Sequence, residues 1–114
     1  MHGMGWRRWG RRGLGPLCRR LLGEALSRLD ERRLEGLERL WLPLPPGGGA
    51  EPVVLYTDEL EVFTLVYLEG LSQEEAAERL GVSRARVWRL LDSARRKLAE
   101  ALGAGKPIAL ARPG

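Results

Sequence analysis

Histidine and cysteine are almost missing from this 114-residue chain, which holds only His2 and Cys18 of the two types. A single cysteine cannot close an internal disulfide. One cysteine with one histidine cannot complete a zinc site either, so no metal ligand is assigned and no cofactor is expected. No apolar run approaches the roughly 18 to 20 residues that span a bilayer, which excludes a membrane-spanning helix. The basic start is broken by Gly, Arg and Trp, and no apolar core with a small-residue cleavage site follows it, so it does not read as a secretion signal. A cytoplasmic, nucleoid-associated location is expected. Asparagine is absent, glutamine occurs once, and arginine far outnumbers lysine, a bias shared by heat-adapted proteins and GC-rich genomes.

Catalytic sets are lacking too. There is no Ser/His/Asp or Cys/His constellation, and the glycine triplet at 47–49 lacks the flanks of a phosphate-binding loop. No catalytic residue is assigned, and an enzyme is not expected. The carboxylates between residues 51 and 69 read as helix N-terminal charge and a solvated face.

What is present is basic and unevenly spread. The net charge is +4, which suits a polyanionic partner. Residues 1–13 carry four arginines and no acid, residues 43–71 five acids and no base, and residues 72–102 seven bases against five acids. Length allows one small domain with an appendage. Residues 1–16 form a basic Trp/Arg/Gly arm, in which Arg7, Arg8, Arg11 and Arg12 are candidates for reaching phosphates or a minor groove, with Trp6 and Trp9 beside them. Residues 17–42 place Leu17, Leu21, Leu22, Ala25, Leu26, Leu29, Leu37, Leu40 and Trp41 at spacings of three and four. That spacing predicts an amphipathic helix, bent or divided at Gly23 and Gly36. Its polar face mixes six arginines with five acids, which disfavours a membrane surface as its partner. Covering the core or pairing with a second copy suits it better, and Cys18 is expected to be buried. The Pro/Gly-rich residues 43–52 predict a linker. VVLY at 53–56 predicts a strand whose plausible partner is PIAL at 107–110, a short two-stranded element.

Residues 53–111 carry sharper signals. Thr57 or Asp58 caps a helix running to about residue 69, with Leu60, Phe63, Tyr67 and Leu68 inward, and Gly70 ends it. Ser72 and Glu75 form a capping box that opens a second helix at 73–80, whose Ala76, Ala77 and Leu80 allow close packing. Gly81 supplies a left-handed position, Val82 anchors the corner, and Ser83 caps a third helix to about residue 102, closed by Gly103. This third helix is expected to bury Val87, Leu90, Leu91, Ala94, Leu98 and Leu102. The predicted fold class is therefore mainly α, a helix-turn-helix bundle with an extra N-terminal amphipathic helix. With the apolar positions facing inward, Arg84, Ala85, Arg86 and Arg89 face outward as candidates for reading bases in a major groove. Gln73 and Ser83 sit at helix N-termini as phosphate candidates, and Arg95, Arg96 and Lys97 extend the basic surface. Asp92 and Glu100 are placed to neutralise part of that charge. Trp88 lies at the edge of this face. Packing is the favoured role for it, against lying on DNA or joining two copies.

Three segments carry a resemblance: DELE at 58–61, LEGLSQEEAAERLGVSR at 68–84 and ARRKLAEAL at 94–102, followed by Gly105 and Lys106. Over residues 53–111 the chain resembles uncharacterised protein family 0251 (UPF0251), predicted DNA-binding proteins related to the sigma-70 region 4 type of helix-turn-helix. It differs from the usual family pattern at Thr64, Tyr67 and the Arg86-Val87 pair, and in its N-terminal arm. The resemblance implies double-stranded DNA as partner and a role as transcriptional regulator. The competing expectation is a protein-interaction module docking on RNA polymerase or another regulator. RNA is a weaker candidate, and a homodimer would suit two-fold symmetric sites.

Overall fold

A computed structural model describes residues 16–43 and 51–114. In chain order the elements are helix α1 (Pro16–Ser27), short helix α2 (Glu31–Glu35), strand β1 (Leu37–Trp41), strand β2 (Val53–Tyr56), helices α3 (Thr57–Tyr67), α4 (Gln73–Leu80) and α5 (Arg84–Ala104), and strand β3 (Ile108–Ala111). The described chain is mostly helical with one small sheet. None of its helices is long and apolar enough to cross a membrane.

Residues 17–42 are not helical throughout, and the helix divides at Ser27 to Asp30 rather than at Gly23. Helix α1 stops at Ser27, whose hydroxyl donates to the Glu24 carbonyl at 2.7 Å. Asp30 then caps α2 by accepting the Arg33 N–H at 2.8 Å. After Gly36 the backbone becomes extended, and β1 pairs antiparallel with β3. A register shift between Leu37 and Arg39 explains why this strand looks helical in sequence. The irregularity adds one residue to the strand, so Leu37 and Leu40, three apart, oppose Ala111 and Ala109 on one sheet face.

The sheet has three strands rather than two, ordered β1-β3-β2. The predicted pairing of 53–56 with the C-terminal segment is present: β2 runs parallel to β3, with Leu55 opposite Leu110. β1 adds the third strand by joining β3's other edge. The chain on both sides of the linker therefore shares one sheet, although residues 44–50 lie outside the described part.

Among the described residues, two apolar clusters fill the interior. Val62 and Leu65 of α3, Ala76 and Ala77 of α4, and Val87 and Leu91 of α5 form the first, with Leu71, Leu80, Val82 and Leu90 partly buried against it. Leu55, Ala94 and Leu110 form the second, flanked by Leu60, Phe63, Leu98 and Ile108, and join the sheet to α3 and α5. The inward face of α3 is thus rotated from the expected one. Val62 and Leu65 are buried, Leu60 and Phe63 only partly, and Tyr67 and Leu68 are exposed. Leu102, also expected inside, is exposed near the end of α5.

Local signals set the helix boundaries. Ser72 accepts the Glu75 N–H at 3.0 Å and the Glu75 carboxylate accepts the Ser72 N–H at 2.9 Å, completing the predicted capping box. The Ser72 backbone N–H, and then its hydroxyl, hold the Glu75 carboxyl below its ordinary range. At α3 the cap is Tyr56, one residue before Thr57 and two before Asp58, the expected candidates, because Glu59 reaches back to accept the Tyr56 N–H at 2.9 Å. Gly81 ends α4 with φ 69°. Helix α5 continues through Gly103 and ends at Gly105, φ 67°, after which the Lys106 N–H donates to the Ala101 carbonyl at 2.9 Å.

These backbone assignments give opposite outcomes for two glycines. A Cβ at Gly81 meets no neighbour but requires the left-handed region, so Gly81→Ala should lower stability by about 1 kcal/mol. A Cβ at Gly103 also meets nothing, and the residue is helical, so Gly103→Ala should raise stability by up to about 1 kcal/mol. Chemical denaturation of both variants checks the pair. The lowered Glu75 carboxyl stabilises the fold fully above the ordinary carboxylate value, and that contribution is lost as pH falls through the lowered one. Glu75→Gln should therefore flatten the acid side of the stability profile.

Candidate nucleic-acid interface

Helices α4 and α5 are joined by three residues whose roles are local and separable. Left-handed Gly81 reverses the chain, Val82 packs into the core, and the Ser83 hydroxyl accepts the Arg86 N–H at 3.1 Å to start α5. Val87, Leu91 and Ala94 are buried at helical spacing, which directs the opposite face of α5 to solvent. Arg84, Ala85, Arg86 and Arg89 are all exposed there, as the sequence predicts.

They differ in their surroundings. The Arg86 guanidinium lies 3.4 Å from the Asp58 carboxylate in the first turn of α3, an exposed pair that orients the side chain more than it neutralises it. Arg84, Arg89 and Arg95 make no ion pair among the described residues. Arg96 pairs with Asp92 at 3.1 Å across one turn, the partial neutralisation expected from the sequence. Gln73 begins α4 and is partly exposed, while Ser83 is exposed with its hydroxyl committed to the cap. Arg7, Arg8, Arg11, Arg12, Trp6, Trp9 and the Cys18 side chain lie outside the described residues.

Lys97 is the main correction. Its ammonium donates to both carboxylate oxygens of Glu59, at 2.7 and 3.0 Å, and stands 4.6 Å from the centre of the Tyr56 ring. Glu59 is only 5% exposed and also accepts the Ser93 hydroxyl and the Tyr56 N–H. Lys97 is thus turned inward as a structural counter-charge, not along a phosphate-binding surface. Glu59 likewise departs from the solvated face expected for the acids of residues 51–69. One sequence signal marks both residues. Glu59 shares a helical stripe with Val62, Phe63 and Val66, and Lys97 shares one with Leu90, Ala94 and Ala101. Opposite charges on two apolar stripes are candidates for each other.

Trp88 is the second correction, since it is 52% exposed rather than packed. The core of α5 is narrow, centred on Val87, Leu91 and Ala94, and Trp88 falls outside it beside Arg84 and Arg89.

The family model described as "Protein of unknown function DUF134" matches residues 32–113. The chain belongs to this family. The match covers all three strands and α3 to α5, leaving α1 outside. A UPF0251 protein of Pyrococcus abyssi is 37% identical over 101 residues, spanning 88% of this chain and 84% of the relative. One from Archaeoglobus fulgidus is 38% identical over 88 residues, spanning 76% and 84%. One from Methanosarcina acetivorans is 51% identical over 63 residues, spanning 55% and 56%. No solved structure matches the chain.

The inward role of Lys97 has a measurable consequence within the DUF134 fold. Lys97→Met leaves the Glu59 carboxylate buried without its counter-charge and should cost about 3 kcal/mol. Glu59→Gln/Lys97→Met should recover most of that loss in chemical denaturation, because the amide still accepts the Tyr56 N–H. A neutral Lys97→Met would return Lys97 to the surface.

Proposed function

We propose that the chain is a DNA-binding protein, a transcriptional regulator associated with the nucleoid and without catalytic activity. In this reading α4, the turn and α5 act as a helix-turn-helix of the sigma-70 region 4 kind. The first half of α5 enters the major groove of double-stranded DNA. One observation carries the reading: the turn at residues 81–83 seats α5 so that Val87 and Leu91 are buried while Arg84, Ala85, Arg86 and Arg89 are presented together. Arginine at such positions makes bidentate contacts to guanine, and a small residue such as Ala85 admits close approach to the groove. Arg95, Arg96 and the helix N-termini at Gln73 and Ser83 serve the phosphates, which set affinity and its salt dependence. Two-fold symmetric target sites would make a homodimer the binding form.

A second reading is docking on RNA polymerase or another regulator. It is favoured by Tyr67 and Leu68, exposed side by side at the end of α3, Leu68 at 82%. An apolar pair at the rim of a cationic domain suits a protein contact.

Titration of duplex DNA at two salt concentrations separates the two. Arg84→Ala/Arg89→Ala should weaken duplex binding by about tenfold or more. It should change the slope of log affinity against log salt less than Arg95→Ala/Arg96→Ala, which removes phosphate contacts worth about 0.9 each in that slope. Equal binding by variant and wild type would remove α5 as the reading helix. A stable complex with polymerase that depends on Leu68, without duplex binding at low salt, would establish the second reading instead.

A further inference from the structure

We infer that Trp88 is a specificity-determining residue that reads the 5-methyl group of a thymine in the major groove. The inference rests on the DNA-binding reading and adds a base preference to it. Trp88 stands in the second turn of α5, four residues after Arg84 and three after Ala85, so the three share one flank of the helix, with Arg89 on the adjoining one. It is 52% exposed, which leaves much of a large apolar ring in water on the outward side of a helix whose Val87 and Leu91 are buried.

The surroundings favour DNA over a protein partner. Protein interfaces also gather Trp and Arg, but around a continuous apolar core built from several neighbouring residues. Along the helix the exposed neighbours of Trp88 are Arg84, Ala85 and Arg89, and Asp92, one turn further on, is paired with Arg96 at 3.1 Å. The other large exposed apolar residue of α5, Leu102, lies about 21 Å further along the helix axis, so the two form no continuous patch. An aromatic side chain flanked by arginines that make no ion pair among the described residues matches a surface that is anionic but carries apolar features. The major-groove edge of DNA has one such feature on its bases, the thymine methyl. The flanking arginines hold the backbone or guanines, and the indole covers the methyl between them.

The test uses a duplex selected from a random library by the wild-type chain, and copies in which each thymine is replaced singly by uracil. Anisotropy titrations compare wild type with Trp88→Ala, which should keep the wild-type melting temperature because the site is exposed and alanine favours helix. Wild type is expected to lose about fourfold in affinity at one or two uracil positions, the worth of one buried methyl. Trp88→Ala is expected to bind about tenfold more weakly and to treat thymine and uracil alike at those positions. The inference is overturned by a selected site without thymine, by wild-type indifference to every uracil, or by discrimination that survives in Trp88→Ala. A uniform loss on all duplexes would make Trp88 a sugar contact, and a smaller sedimenting species for Trp88→Ala would make it a subunit contact. Either result overturns the inference while leaving DNA binding intact. Failure to retain any duplex at low salt refutes the DNA-binding reading itself, and this inference with it.

Discussion

Glu59 and Lys97 meet where β2 passes directly into α3, and the seating of α5 against both elements depends on that pair. The carboxylate takes two donors from the ammonium, one from Ser93 and one from the Tyr56 backbone, so each of its oxygens is satisfied while the residue is 5% exposed. Burying a lone charge is costly, and burying one with a full set of donors imposes geometry. Here the geometry locks the strand end, the start of α3 and the middle of α5 at one point. The apolar clusters on either side then fill the space that this point defines.

From this anchor the exposed face of α5 follows. Lys97 and Ser93 turn one flank of the helix toward α3, and Val87, Leu91 and Ala94 fix the inward direction. The remaining circumference in the first turns belongs to Arg84, Ala85, Trp88 and Arg89, with Arg86 at the boundary, held near Asp58. A cationic surface with one aromatic in it is therefore a consequence of how the helix is pinned. The Gly81 turn and Ser83 cap decide where that surface begins.

The sheet plays a different part. β3 lies between β1 and β2, so the last strand of the chain ties together segments from both sides of the linker. Ala109 and Ala111 are small and buried on the face that β1 meets with Leu37 and Leu40. The residues after α5 thus close the structure, and Gly105, in the left-handed region, makes the reversal from α5 toward β3 available.

Much of the domain could be read from residues alone, because its signals are local. The Ser72–Glu75 box, the Gly81 reversal, the Ser83 cap and the apolar spacing of Val87, Leu91 and Ala94 each act within about one helical turn, and each is found as expected. The features that differ from what local spacing predicts depend on partners distant in sequence. Residues 37–41 have helical spacing and become a strand because β3, some seventy residues later, offers hydrogen bonds, and because an irregular register shifts the leucines to a spacing of three. Lys97 reads as surface charge until Glu59, 38 residues earlier, is brought beside it. Trp88 reads as core by composition and is exposed because α5 presents a narrower face inward than its apolar content suggests. Sequence by itself determined α4, the Ser72 and Ser83 caps, the Gly81 turn and the outward arginines, since backbone donors and short spacings suffice for those. Tertiary structure alone decided which charges face inward and which aromatic faces outward, since those depend on what packs against them.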